Sequence, residues 1–330
     1  QKISKAVGRL FDSAVLNRLG KNFYRTQKWK TMQKKFKTAG WGEILWDIFP
    51  DTKTLGGAPA NFSLHAQQLE AESYMISCVG EDELGKEAKK LFNDFELNTN
   101  GIQVNKDLPT GSVIVSLDQM GNPSYDIKEN VAWDHIVFDE AQKNIAQSLD
   151  AICFGTLAQR NPKTQKALFK TLNITPPHCL KVFDVNFRQE YYDRETVKMN
   201  LERANIVKMN KQEFKEISLM FYLSRDTEKG ILSLIDEFDL KMGIITLGEK
   251  GSIMATKNNY ISYTPTSKIN IKSTVGAGDA YTAAVVMGLL NQKPLNQIIR
   301  EASDLAANVC GYYGGSILKI KTKKNENQIN

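Results

Sequence analysis

An α/β fold, with a mostly parallel sheet covered by helices on both faces, is what this sequence predicts, and three observations carry the prediction. From Ile136 onward, short apolar runs of strand length alternate with longer helical stretches, as in successive βαβ units. Polar residues gather where those runs end, the side on which open parallel sheets bind ligands. One small-residue stretch, Thr274-Val275-Gly276-Ala277-Gly278-Asp279-Ala280, leads into an apolar helical run ending at Leu290. That junction exposes backbone N–H groups at the positive end of a helix dipole.

Size and composition agree with this class. The chain has 330 residues and is 42% hydrophobic, enough for one large domain or two smaller ones. No apolar run reaches the ~18 residues of a membrane span. The four cysteines (Cys78, Cys153, Cys179, Cys310) form no CxxC pair, and the three histidines have no metal spacing, so reduced thiols and a cytoplasmic setting are expected. The net charge is +6, but residues 1–31 carry +7 of it (eight Lys and Arg against Asp12), so the rest of the chain stands at −1. A near-neutral body argues against nucleic acid as the main partner.

Residues 1–31 are basic, acid-poor and partly amphipathic, like an organellar presequence, a surface helix or sequence foreign to the fold. They are expected to be an appendage without catalytic function, with Met32 a possible natural start. Ala39 to Pro50 reads as a buried strand running into a second one, interrupted by Asp47, a charge that needs a partner in so apolar a setting. In Gly56-Gly57-Ala58-Pro59-Ala60-Asn61 the glycines permit a tight turn, and Asn61 opens a helix over 60–69, where it caps the helix or, with Asp47, binds hydroxyls of a polyol. Ser73 to Val79 is a strand. Gly80 to Glu87 only approximates a phosphate-binding loop, because three acids sit where phosphates would lie; it reads as a turn into a helix over 86–95. Ser112–Leu117 and Ser124–Ile127 flank Gly121-Asn122-Pro123 as a hairpin. With residues 47–54 they form a small sheet suited to a lid. The later strands are 151–155, 181–186, 206–210 and 243–248, and the tail from Lys319 is polar.

The chemistry follows from the strand ends and the glycine-rich junction. An acid is a poor phosphate ligand but a good base for a hydroxyl that attacks phosphorus. Gly276 to Asp279 therefore reads either as an anion cradle with a built-in base or as a helix start with an acidic first turn. Asp184, Asn186 and Arg188 end one strand, Asn210 and Glu213 the next, and Thr246 and Gly248 a third. Several polar strand ends in succession suggest a site, although Asp184 and Asn186 could cap a turn, Arg188 could pair with a surface acid, Glu213 could be a first-turn acid and Asn308 a buried amide.

These residues resemble the ribokinase-like, PfkB-type carbohydrate kinases, and within them the bacterial fructokinases, over about 37–319. The likeness rests on Gly42-Glu43-Ile44-Leu45-Trp46-Asp47, Gly56 to Asn61, Asp184-Val185-Asn186-Phe187-Arg188, Asn210-Lys211-Gln212-Glu213, Thr246 to Gly251 and Thr274 to Asp279, in family order, with Ala158 to Pro162 pointing to the fructokinase branch. It implies a three-layer α/β/α sandwich over 32–320 with a β-sheet lid near 46–56 and 110–128, a polar tail at 321–330, and transfer of the ATP γ-phosphate to a sugar, fructose becoming fructose 6-phosphate. It further implies Asp279 as base, the amides of Gly276, Ala277 and Gly278 as anion hole, and Arg188 beside the transferring phosphate. Asp47, Gly57, Asn61 and, less directly, Arg160 would hold the sugar. Asn210 and Glu213 would organise Mg²⁺ through water, and Thr246, Gly248, Gly251 and Asn308 would line the nucleotide. Where the family usually has Asp before the Thr-x-Gly-Ala-Gly-Asp run, this chain has Ser273, which keeps an oxygen but loses the charge and weakens the implied K⁺ site that Gly314-Gly315-Ser316 could also serve. Ribose, 2-keto-3-deoxygluconate or a non-catalytic sugar-binding role are the alternatives. A dimer through the lid sheet is expected from its apolar Ile48, Phe49, Val113 and Val115.

Overall fold

The structure, a computed structural model, describes residues 35–117, 123–265 and 271–311. The N-terminal appendage, the Gly121-Asn122 turn, Gly314 to Ser316 and the polar tail lie outside the described residues. The elements run β1 (Lys37–Trp41), β2 (Leu45–Ile48), β3 (Lys53–Gly56), α1 (Ala58–Gln68), β4 (Glu72–Gly80), α2 (Glu83–Asp94), β5 (Ile102–Asn105), β6 (Gly111–Leu117), β7 (Pro123–Ile127), α3 (Glu140–Ala146), β8 (Ala151–Phe154), α4 (Pro162–Asn173), β9 (Leu180–Asp184), α5 (Arg194–Leu201), β10 (Ile206–Asn210), α6 (Lys211–Met220), α7 (Thr227–Glu237), β11 (Met242–Thr246), β12 (Ser252–Thr256), β13 (Asn259–Tyr263), α8 (Ala277–Leu290) and α9 (Leu295–Cys310).

Nine strands form the main sheet in the order β13-β12-β11-β10-β9-β8-β1-β4-β5. All pairs from β11 to β5 are parallel, and β12 and β13 add an antiparallel hairpin at one edge. Because successive strand residues point to opposite faces, each central strand serves two cores. Ile152, Phe154, Phe183, Val207 and Ile245 pack with α4 to α7 on one face. Their chain neighbours Ala151, Cys153, Val182, Ile206 and Ile244 pack with α1, α8 and α9 on the other. Both faces of the sheet are thus apolar, which is why its strands read as continuous apolar runs rather than as alternation, and three layers result. No helix among the described residues is long and apolar enough to cross a membrane.

The second sheet, β3-β2-β6-β7, joins the expected pieces: β2 pairs antiparallel with β3 and parallel with β6, and β6 pairs antiparallel with β7. Its apolar face differs from the expectation. Val113 and Val115 are buried in this chain's own core with Val131 and Trp133, so the face proposed for a dimer is largely filled from within. Ile48 and Phe49 remain partly exposed.

Two helix starts also move. Asp82 accepts a bond from Gly85 N at 2.8 Å, so α2 begins at Glu83, three residues early. In α1 the N-cap is Gly57 (φ 107°), and Asn61 lies inside the first turn, its own N–H donating to Gly57 O at 2.9 Å. The cap reading of Asn61 is therefore wrong, and its side chain is free for other work. Helix α1 lies hard against β1: a Cβ on Gly40 would stand 2.0 Å from Pro59 O and 2.5 Å from Ser63 Oγ. Gly40→Ala is expected to destabilise the fold by about 3 kcal/mol by overpacking against backbone, seen as a lower urea midpoint at unchanged slope.

Candidate active site

Helix α8 begins where the small-residue stretch requires. Gly276 takes the left-handed conformation (φ 77°) as N-cap and offers no side-chain cap. Ala277 N donates to Thr274 O at 3.3 Å, and Ala280 N to Gly276 O at 2.9 Å. The amides of Gly278 and Asp279 are then the open donors of the first turn among the described residues. Ser273 braces the approach: its Oγ accepts from Val275 N at 3.2 Å, and its own N–H, with that of Lys272, is tied to Cys310 O.

Asp279, half-buried in that first turn, accepts a bond from Asn61 Nδ2 at 2.8 Å. Asn61 is only 4% exposed. The contact spans 218 residues of sequence and exists because α1 and α8 pack together on one face of the sheet. Burial pushes the Asp279 carboxyl up to about 6; the Asp184 charge adds to this, while Lys208, Asn61 and Arg188 oppose it.

Two further acids feel the charge of Arg188. Glu43, following β1, is 2% exposed; its Oε1 accepts from Ala58 N at 3.3 Å, whereas Oε2 has no partner among the described residues. Burial pushes Glu43 up to about 7, with Arg188 among the opposing influences. Asp47 is pushed up to about 6 by burial, again opposed by Arg188. Arg188 thus bears on Glu43, Asp47 and Asp279 together, and its Nη1 donates to Phe187 O at 3.0 Å. The glycines make the approach possible: a Cβ on Gly56 would lie 2.8 Å from Asp47 Oδ2, and one on Gly57 would lie 2.4 Å from Glu43 O. The loop carrying Arg188 holds Asn186 and Gln189 at positive φ, a departure from ordinary backbone of the kind that collects at sites.

Below the cradle, Lys208 Nζ lies 3.0 and 3.1 Å from the two carboxylate oxygens of Asp184. The turn-cap reading of Asp184 gives way to this ion pair. Lys208 carried no role in the sequence reading, though a lysine within the apolar Ile206–Met209 strand was a signal of the same kind as Asp47. Glu43 stands out only through its burial, since in the sequence it is one residue of a motif.

Asn210 and Glu213 form a reciprocal helix cap. Asn210 Oδ1 accepts from Gln212 N at 2.8 Å and from Glu213 N at 2.9 Å, and Glu213 Oε2 accepts from Asn210 N at 2.7 Å. Glu213 Oε1 accepts from Phe187 N at 3.1 Å, which ties the cap to the Arg188 loop. Among the described residues no cluster of three His, Cys, Asp or Glu could hold a metal; with both Glu213 oxygens and Asn210 Oδ1 already accepting backbone bonds, these two residues could reach a Mg²⁺ only through its waters.

Thr246 ends β11 in register with Asn210. Gly248 (φ 62°) opens onto free space, while at Gly251 (φ 90°) a Cβ would meet Tyr263 O at 1.8 Å. Asn308 is exposed on α9, which removes its buried-amide alternative. Arg160 is clamped: Nε and Nη2 reach Asp134 at 2.7 and 2.8 Å, Nη2 also donates to Lys128 O at 2.6 Å, and the guanidinium lies over Trp133 and Tyr191. Its buried Nη1 has no partner among the described residues.

Residues 48–323 match the pfkB family of carbohydrate kinases. A Pyrococcus horikoshii relative is 29% identical over 76% of this chain and 78% of its own. Its solved structure, described as an uncharacterized sugar kinase, superposes with a TM-score of 0.74 at 24% identity, covering 84% of this chain and 93% of that one; it has also been solved in complex with ATP. A Salmonella typhimurium fructokinase is 23% identical over 82% of this chain and 90% of its own. A 5-dehydro-2-deoxygluconokinase of Bacillus cereus is 25% identical over 76% of this chain and 77% of its own. The fold is the ribokinase-like one.

Proposed function

The chain belongs to the pfkB family of carbohydrate kinases, and from that premise we propose that it transfers the γ-phosphoryl group of ATP to a primary hydroxyl of a ketose, D-fructose at its 6-hydroxyl. The observation that carries this reading is Asp279, oriented by Asn61 and standing in the same helical turn as the open amides. In the proposed reaction the sugar oxygen attacks the γ-phosphorus as its proton passes to the Asp279 carboxylate. The bond from the γ-phosphorus to the bridging oxygen breaks, and ADP leaves. The open amides of the first turn of α8, those of Gly278 and Asp279, stabilise the charge on the transferred group, helped by Arg188, whereas the Ala277 amide, expected beside them, is turned to Thr274 O. Asp47, Gly57 and Asn61 hold the sugar, with Arg160 behind them. Thr246, Gly248, Gly251 and Asn308 line the nucleotide. Mg²⁺, organised by Asn210 and Glu213, supplies neutralisation of the β- and γ-phosphates when bound. At Ser273 a neutral hydroxyl already braces the loop, so a K⁺ requirement is not part of the proposal. The small sheet acts as lid, and residues 1–31 stand outside the catalytic unit.

A sugar acid is the second reading, supported by the 5-dehydro-2-deoxygluconokinase relative, whose identity is comparable to that of the fructokinase. Purified protein with ATP and Mg²⁺ on a panel of fructose, ribose, 2-keto-3-deoxygluconate and 5-dehydro-2-deoxygluconate separates them. Fructose is expected to show the highest kcat/KM. A sugar acid or ribose far ahead of it would replace the substrate, and fructose binding without ADP release would mean a regulatory protein on this scaffold.

A further inference from the structure

Lys208 has no part in the reaction as described, yet its ammonium stands at the centre of the site's charge. It lies on β10, cross-strand from Asp184 on β9, and is 7% exposed. Its Nζ pairs with both Asp184 oxygens. A Cβ on Gly278 would lie 2.8 Å from that Nζ, so the ammonium sits directly against the turn whose amides form the cradle. Thr282 Oγ1, one turn further along α8, is 2.9 Å from both Asp184 Oδ2 and Gly278 O. Asp184 therefore fastens the start of α8 to β9. With its Nζ within 3.1 Å of both Asp184 oxygens, the ammonium is held as one half of a buried ion pair.

A buried carboxylate in this place has a cost. Asp184 without a counter-charge would set a negative field under the amides at which ATP phosphates arrive. We propose that Lys208 is a positioning residue that neutralises Asp184 beneath the anion cradle, so that Asp184 can fasten α8 without repelling the transferring phosphoryl group. This rests on the phosphoryl-transfer reading, which the sugar panel with wild-type protein tests by itself.

The test compares Lys208→Met, the double variant Asp184→Asn with Lys208→Met, and wild type. The readouts are kcat, KM for the sugar, and calorimetric binding of AMP-PNP beside AMP, each after a thermal melt confirms folding. Lys208→Met is expected to lower kcat at least tenfold with the sugar KM within threefold, and to weaken AMP-PNP binding more than AMP binding. The double variant, which removes both charges together, is expected to return kcat and AMP-PNP affinity to within about tenfold of wild type. If Lys208→Met fails to fold, as loss of one partner of a buried pair can cause, the double variant decides alone. A double variant as slow as, or slower than, a hundredth of wild type would overturn the proposal, because the cation itself would then be needed at the phosphate. Lys208→Met indistinguishable from wild type would overturn it as well. If wild type turns over no sugar, the AMP-PNP and AMP comparison still tests the charge balance.

Discussion

Replacing Asp279 with Asn is expected to lower turnover by ~10²–10⁴-fold, the range for loss of a general base, while sugar and ATP still bind. The substitution is close to isosteric, and the Asn carbonyl can still accept the bond from Asn61 Nδ2 that the Oδ2 atom accepts now. Geometry is thus kept and only proton acceptance is lost. The pH profile gives an independent check. A base works deprotonated, and burial has pushed Asp279 up to about 6. kcat/KM should therefore fall as pH drops through about 6, on a limb belonging to the free enzyme. Asp47 at about 6 and Glu43 at about 7 titrate nearby, so the limb alone does not identify its owner. Its disappearance in Asp279→Asn does. A variant that keeps more than a tenth of wild-type turnover would mean that another group takes the proton.

Arg188→Gln is expected to cost about 10²–10³-fold in kcat, the scale for removing one preorganised stabiliser of transition-state charge. Among the described residues, Arg188 is the cation that opposes the raised proton affinity of Glu43, Asp47 and Asp279 alike. Its loss should remove a positive charge from the phosphoryl site and also move the acid limb of the pH profile upward, since all three carboxyls would then hold protons to higher pH. Arg188→Lys separates the two effects. The ammonium keeps the charge but not the planar fork, so the limb should stay near its wild-type position while kcat is only partly restored. A loss below tenfold in Arg188→Gln, with the limb unmoved, would reduce Arg188 to a local partner of the Phe187 carbonyl.

Much of this fold is legible in the sequence because its signals are local. A parallel sheet buried on both faces leaves apolar runs at β8 to β11, and a helix that starts from a left-handed N-cap leaves the small residues Gly276-Ala277-Gly278. Weaker local signals were lost. Strand β5 is four residues at a sheet edge, and β12 and β13 form a short hairpin at the other edge. The paired helix cap of Asn210 and Glu213 is spaced like a cap in any helix, so its spacing carries no sign of whether it also orders the waters of a metal.

The ingredients of the site are legible along the chain: which strand ends carry polar groups, which small residues open α8, and which acid stands in its first turn. Which charges meet follows from tertiary packing alone. Asn61 became the orienting partner of Asp279 once α1 and α8 packed together. Glu43 and Lys208 acquired importance from burial, and Asp184 changed from a turn residue into half of an ion pair because β9 and β10 are neighbours in register. The difference is one of range. Strand alternation and helix starts are set by neighbours a few residues away along the chain, whereas proton affinity and charge balance are set by desolvation and by Coulomb partners that the fold brings within a few ångströms from distant parts of it.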